Sequence, residues 1–144
     1  MATTDNDTFD LAQLMDDLQI DEGRELLPYT DTMGKITIGV GRNLTDRGIT
    51  DAECDAMLAD DIALVCGELD KSLSWWRLMP APRQRVLANL CFNMGLTKLL
   101  EFTTFLSLMR TAQFHAAASD LQGTAWYGEV GQRGPRTVAR LLSA

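Results

Sequence analysis

Ile20-Asp21-Glu22-Gly23, and then Tyr29-Thr30-Asp31-Thr32-Met33-Gly34-Lys35-Ile36-Thr37-Ile38-Gly39-Val40-Gly41, is the stretch whose reading decides the fold. Its hydrophobic period changes from helix to strand. Ahead of it, from Phe9, the apolar residues Leu11, Leu14, Met15, Leu18 and Ile20 recur at helical spacing, and the pattern stops at Gly23 directly after Glu22. Pro28 bars any continuation of that helix, so Tyr29 to Leu44 reads as two short strands around a turn at Asp31-Thr32-Met33-Gly34. Ile36, Ile38 and Val40 alternate with Lys35, Thr37 and Gly39, which predicts that Thr37 faces a cleft while the isoleucines pack inward.

The chemistry of this stretch lies in two carboxylates in unlike settings. Glu22 stands at the C-terminal end of a helix, where the dipole disfavours an anion and so favours the protonated form that a general acid needs. Asp31 stands in a turn. Glycoside hydrolysis uses such a pair, one acid to protonate the leaving oxygen and one to activate water. Glutamate, eight residues, aspartate, five residues and threonine, followed by the glycines of Thr37-Ile38-Gly39-Val40-Gly41, resembles the T-even phage type of lysozyme. The resemblance resumes at Phe92-Asn93-Met94-Gly95, at Trp126-Tyr127 and at Gln132-Arg133-Gly134-Pro135-Arg136, so it spans nearly the whole chain after about residue 10.

That resemblance implies an α+β, predominantly helical fold. A small N-terminal β-containing lobe (about 9–49) would be joined by a long helix (about 50–71) to a helical lobe (about 72–144), all one lysozyme-like domain, 1–144, behind an unstructured polar lead at 1–8. It also implies an inverting muramidase acting on peptidoglycan, with Glu22 as acid, Asp31 and Thr37 holding the attacking water, and no metal or cofactor. Arg133 falls where the family's arginine pairs with the catalytic glutamate, an effect opposed to that of the helix end. Asn93 and Phe92 line up with the floor of the family's cleft, and an amide both donates to and accepts from a sugar N-acetyl group.

Thr50-Asp51-Ala52-Glu53 is a capping box, and the helix it opens carries Cys54, Leu58, Ile62, Val65 and Leu69 on one stripe. Its other face is acidic, with Asp51, Asp55, Asp60, Asp61 and Glu68. Pro82 suits the first turn of a helix bearing Val86, Leu87, Leu90, Cys91 and Met94, which ends at Gly95. Helical patterns follow from Thr104 through Met109, from Ala112 to Leu121, and from Arg136 onward. Of the adjacent tryptophans Trp75 and Trp76, only one can point inward; the other is a loop anchor or a sugar-stacking surface. His115 reads as a surface residue.

Composition narrows the classes. A chain of 144 residues with 46% hydrophobic content suffices for one core, since folding at this size buries roughly 68–70% of the unfolded surface. No apolar run is long enough to span a membrane, and the polar, acidic start does not read as a signal peptide. The expectation is a monomer made in a host cytoplasm, which needs a separate holin-like protein to reach the wall. Cys54, Cys66 and Cys91 have no metal-like spacing; the first two are separated by about 18 Å of helical rise, and all three read as buried free thiols. Residues 1–70 carry 17 acids and 4 bases, and residues 71–144 carry 3 acids and 9 bases, so a net −7 hides halves of −13 and +6. No basic stripe with interleaved aromatics points to nucleic acid.

The chain departs from the family in three ways. Arg42 stands where the T-even type has a histidine. The segment from Arg42 to Thr50 is shorter, which predicts a reduced third strand and a smaller lip to the cleft, so the neighbouring sugar contact does not transfer to Asn43. Phe105 and Asp120 replace a serine and an asparagine that contact sugar. The rival readings are a lytic transglycosylase, which has no water to position and so no use for Asp31 and Thr37, and a non-catalytic wall-binding or tail module.

Overall fold

The computed structural model describes residues 8–143. The lead expected to be unstructured, residues 1–8, lies outside the described residues apart from Thr8. The chain forms two compact units, one ending at Cys54 and the other beginning at Asp55.

The first unit opens with α1 (Leu11–Glu22), capped by Asp10, whose side chain accepts from the Gln13 amide at 2.9 Å. Three antiparallel strands follow, β1 (Glu25–Thr30), β2 (Ile36–Gly39) and β3 (Arg42–Asn43), with β2 in the middle. Two strands were expected, and a third is present as a two-residue remnant, which agrees with the shortened segment after Arg42. The helix ends before Pro28 as expected, but the first strand starts at Glu25, not Tyr29, so Pro28 lies inside β1. It sits where the β1–β2 register shifts, between the pairs Glu25–Gly39 and Tyr29–Thr37. An edge strand with an irregular ladder tolerates a residue that has no amide donor.

The predicted alternation on β2 is reversed. Thr37 is buried at 4% exposure, whereas Ile36 is exposed at 51%. The central position explains it: Thr37 pairs with Tyr29 on one side and Asn43 on the other, so same-face neighbours flank its small side chain.

The capping box forms as expected at the start of α2 (Asp51–Ser72): the Glu53 amide donates to Thr50 Oγ1 at 3.1 Å, and the Thr50 amide donates to Glu53 Oε1 at 2.9 Å. Only Val65 and Leu69 of its apolar stripe are buried, while Leu58 and Ile62 stay open. A single 3-10 turn at Trp76–Leu78 leads to α3 (Ala81–Met94), α4 (Leu96–Leu100), α5 (Thr103–Arg110), α6 (Phe114–Gln122), α7 (Ala125–Glu129) and α8 (Arg133–Leu142). The sequence reading missed α4 and α7. Each has five residues, too short to show a helical period. The core of this unit includes Leu69, Leu87, Leu90, Leu99, Phe105, Met109, Leu121 and Leu141, all with no exposure. At the α7–α8 junction a Cβ on Gly134 would lie 2.8 Å from Tyr127 Cδ2, so only glycine lets the two helices meet there.

Two composition readings change. Cys91 is buried and its thiol is pushed up by desolvation, but Cys54 is exposed and Cys66 half-buried, so the thiols are free without all being buried. The charge split does not follow the units. Up to Cys54 there are 12 acids and 4 bases, and from Asp55 there are 8 acids and 9 bases, because the acidic face of α2 belongs largely to the second unit. No helix among the described residues is long and apolar enough to cross a membrane.

Candidate active site

Glu22, Asp31 and Thr37 all fall in the first unit, and its sheet sets their spacing. Glu22 is the last residue of α1, exposed, with its carboxylate over the turn between β2 and β3. A Cβ built on Gly41, where φ is +71°, would lie 3.3 Å from Glu22 Oε2. The positive φ favours glycine there, and the bare backbone lets the acid approach without displacement.

Asp31 occupies the opposite end of β2. Its Oδ1 accepts from the Met33 and Lys35 amides, both at 2.8 Å, and its own amide donates to the Lys35 carbonyl at 2.9 Å. One oxygen therefore locks the turn, and Oδ2 has no partner among the described residues. Thr37 sits between the two acids. Its hydroxyl donates to the Lys35 carbonyl at 3.1 Å, which leaves its lone pairs as acceptors. Four residues of strand rise roughly 13 Å, so a helix-end acid near Gly41 and a turn acid near Lys35 are held well apart.

Phe92, Asn93 and Arg133 fall in the second unit. Phe92 is 44% exposed, not core, and with Leu58, Ile62, Arg85, Asn89 and Arg133 it lines a cavity of about 440 Å³. That is the size and mostly apolar character of a small-ligand site. Asn93 Oδ1 accepts from the indole Nε1 of the buried Trp126 at 2.7 Å. An indole can only donate, so it fixes the amide orientation and leaves the Asn93 NH2 for a carbonyl-bearing ligand. Arg133 donates to Asn89 Oδ1 through Nη2 at 2.9 Å and Nε at 3.3 Å.

Several contributors were missed from sequence. Gly41 was read only as a glycine of the family-like motif, and Asn89 was not singled out. Its signal was its place four residues before Asn93, which puts both amides on one face of α3. Trp76 is the buried member of its pair: Nε1 donates to Asp70 at 2.7 Å, and the Arg77 guanidinium lies 4.5 Å over the ring. Trp75 is half-buried in a separate cavity with Arg110 and Phe114. His115 is exposed, as expected. Phe105 is fully buried, so the position of the family's serine contact is core here. No cluster of three or more His, Cys, Asp or Glu side chains among the described residues is arranged to hold a metal.

Comparison with known proteins follows the same outline. The model of the Phage lysozyme family matches residues 19–140. "Probable T4-type lysozyme 2" of Dictyostelium discoideum is 23% identical over 158 residues, which cover 90% of this chain and 93% of that protein. "Probable T4-type lysozyme 1" of the same organism is 22% identical over the same shares. "Pre-baseplate central spike protein Gp5" of Enterobacteria phage T4 is 26% identical over 169 residues, covering 98% of this chain but 29% of that protein. The family match begins inside α1 and ends inside α8, and it takes in Glu22, Asp31, Thr37 and Arg133; the chain belongs to the phage lysozyme family.

Proposed function

We propose that this protein is an endo-acting muramidase that hydrolyses the β-1,4 bond between N-acetylmuramic acid and N-acetylglucosamine in peptidoglycan, with inversion at the anomeric carbon. Glu22 protonates the glycosidic oxygen as the bond breaks. Asp31, through its unpartnered Oδ2, orients and deprotonates a water on the other face of the sugar and steadies the positive charge that develops on the ring. Thr37 accepts a hydrogen bond from that same water. The observation that carries this reading is the placing of Glu22 and Asp31 toward opposite ends of β2, with Thr37 between them. Retaining enzymes hold their carboxyl groups only about 5–5.5 Å apart, too close for an intervening water.

In the second unit, Asn93 would donate to a sugar N-acetyl carbonyl and Phe92 would pack on the ring. Arg133 as the electrostatic partner of Glu22 rests on the family resemblance alone; it would favour the ionised acid. The chain would work as one lysozyme-like domain, monomeric and without cofactor, in the biological role of an endolysin. Made in the host cytoplasm, it would depend on a holin-like protein to reach the wall.

Mass spectrometry of digested peptidoglycan tests the chemistry. Reducing muramic ends support hydrolysis, anhydro ends indicate a transglycosylase, and intact glycan indicates a binding module. Glu22→Gln, folded but reduced by roughly 10²–10⁴-fold, is the matching control. Near-normal clearing by that variant would falsify the role of Glu22. The match to a baseplate spike protein favours a second biological setting, with the same reaction carried out as part of a virion. Immunodetection in purified particles, as against lysates alone, separates the two.

A further inference from the structure

Arg42 lies between two residues that touch the catalytic candidates. Before it, Gly41 presents its bare face to the Glu22 carboxylate. After it, Asn43 is the β3 partner of Thr37. Its own side chain, 21% exposed, turns to the start of α2. There Nη1 and Nη2 hold Glu53 Oε1 and Oε2 at 2.9 and 2.6 Å, while Nη1 also donates to the Gly48 carbonyl at 3.2 Å. Glu53 is itself tied to Thr50 through the capping box, so one guanidinium links β3, the loop that follows and the first turn of the helix.

The two-residue strand is continued beyond Asn43 by the Leu44 amide on the Ile36 carbonyl at 2.7 Å and the Ile36 amide on Thr45 Oγ1 at 2.8 Å, so its ladder is anchored at the far end from Gly41. The link before it runs from Gly39, the last residue of β2, through Gly41, both with positive φ, which confer freedom and no rigidity. We propose that Arg42 is a positioning residue for the hydrolytic reaction: its fork on Glu53 and Gly48 fixes β3, and β3 holds Gly41 against Glu22 and Asn43 beside Thr37. The inference rests on the reading of Glu22 and Thr37 as catalytic. It requires arginine, because a planar fork meets two carboxylate oxygens and a carbonyl together, whereas lysine offers a single point charge. A misplacement of about 1 Å costs up to roughly 10²-fold in rate, so loosening β3 is read in kcat.

The test compares Arg42→Gln, Arg42→Lys, Glu53→Gln and Glu22→Gln on soluble glycan fragments, with kcat, KM and melting temperature measured for each. Glu53→Gln is the decisive variant. Glutamine still serves in a capping box, so the helix start survives, but it presents one acceptor where the fork uses two. The expected result is a kcat loss of about fivefold or more for Glu53→Gln and both Arg42 variants, with KM within about twofold. A folded Glu53→Gln enzyme with a smaller kcat loss, or a loss confined to KM, overturns the proposal and leaves the clamp a stabilising contact. If Arg42→Gln does not fold, Glu53→Gln decides alone. An active Glu22→Gln protein would instead sink the catalytic reading, whereas an inactive one beside a fully active Glu53→Gln protein sinks only the role of Arg42.

Discussion

From Asp55 onward, eight large apolar side chains from Leu69 to Leu141 are fully enclosed; up to Cys54, no apolar side chain is buried among the described residues, and the one buried side chain is Thr37. The helical unit is held by removal of apolar surface from water, worth roughly 1.5–3 kcal/mol for each fully buried large side chain. The sheet unit relies on the Asp31 turn, the β2 ladder, the Asp10 and Thr50 caps and the Arg42–Glu53 fork. Each such bond contributes modestly after exchange with water, yet each has a direction. The candidate acid and water-holding residues sit in the unit built from directed bonds, where position is set residue by residue.

The largest expected effect follows from that division. Asp31→Ala should lower kcat on purified wall by roughly 10²-fold or more, and Thr37→Ala by less, because only Asp31 carries the charge. Their losses should not add in the double variant if they share one water. Additive losses would show two independent roles. Melting temperatures for these variants should fall far less than for a core truncation, and a large thermal loss would blur the contrast between the units.

Phe105→Ala should do the opposite, destabilising by about 3–5 kcal/mol in denaturant melts. Leu26→Ala, on an open strand at 74% exposure, should stay within about 0.5 kcal/mol. Equal effects would mean that apolar burial does not distinguish the units. Gly134→Ala is expected to cost about 1–3 kcal/mol, because the added methyl meets the Tyr127 ring and carbonyl at 2.8–3.0 Å.

How much of this was legible follows the same line. Helices with a full apolar face, α1 and α3 above all, could be read from spacing, and so could the capping box, since its residues are local. The catalytic candidates were legible only as a constellation: a glutamate ending a helix and an aspartate in a turn are each commonplace, and the spacing between them carries the signal. The face of Thr37 was misread because alternation says which residues share a face but not which face is covered. That depends on pairing with Tyr29 and Asn43, which no local pattern encodes. The start of β1 was placed at Tyr29 instead of Glu25 because proline reads as a boundary, although an irregular edge strand accepts it. The Arg42–Glu53 fork joins residues eleven apart across a loop, and only its capping half had a motif.

The smallest expected effect concerns acid stability, and it sets one carboxylate of each unit against the other. Glu53 is held down at about 2, first by the hydrogen bonds from Arg42 and then by those from Thr50. Asp70 is lowered by Arg77 and then by the Trp76 indole. A carboxylate lowered on folding adds stability above its unfolded value, near 4.5 for Glu53, and loses that contribution as pH falls toward its folded value. The melting-temperature gap between the parent protein and Glu53→Gln should therefore be constant above about pH 5 and close steadily toward pH 2. Asp70→Asn should give a gap that closes in the same direction. The parent protein loses other carboxylate contributions over that range too, so the difference between parent and variant is the informative quantity. The Arg77–Asp70 pair is exposed and the Arg42–Glu53 fork is only half-buried, so both gaps should be small and should shrink with added salt. If the Glu53 gap stays constant down to pH 2, the Arg42 fork contributes nothing through charge, and the sheet unit is held at that corner by neutral hydrogen bonds alone.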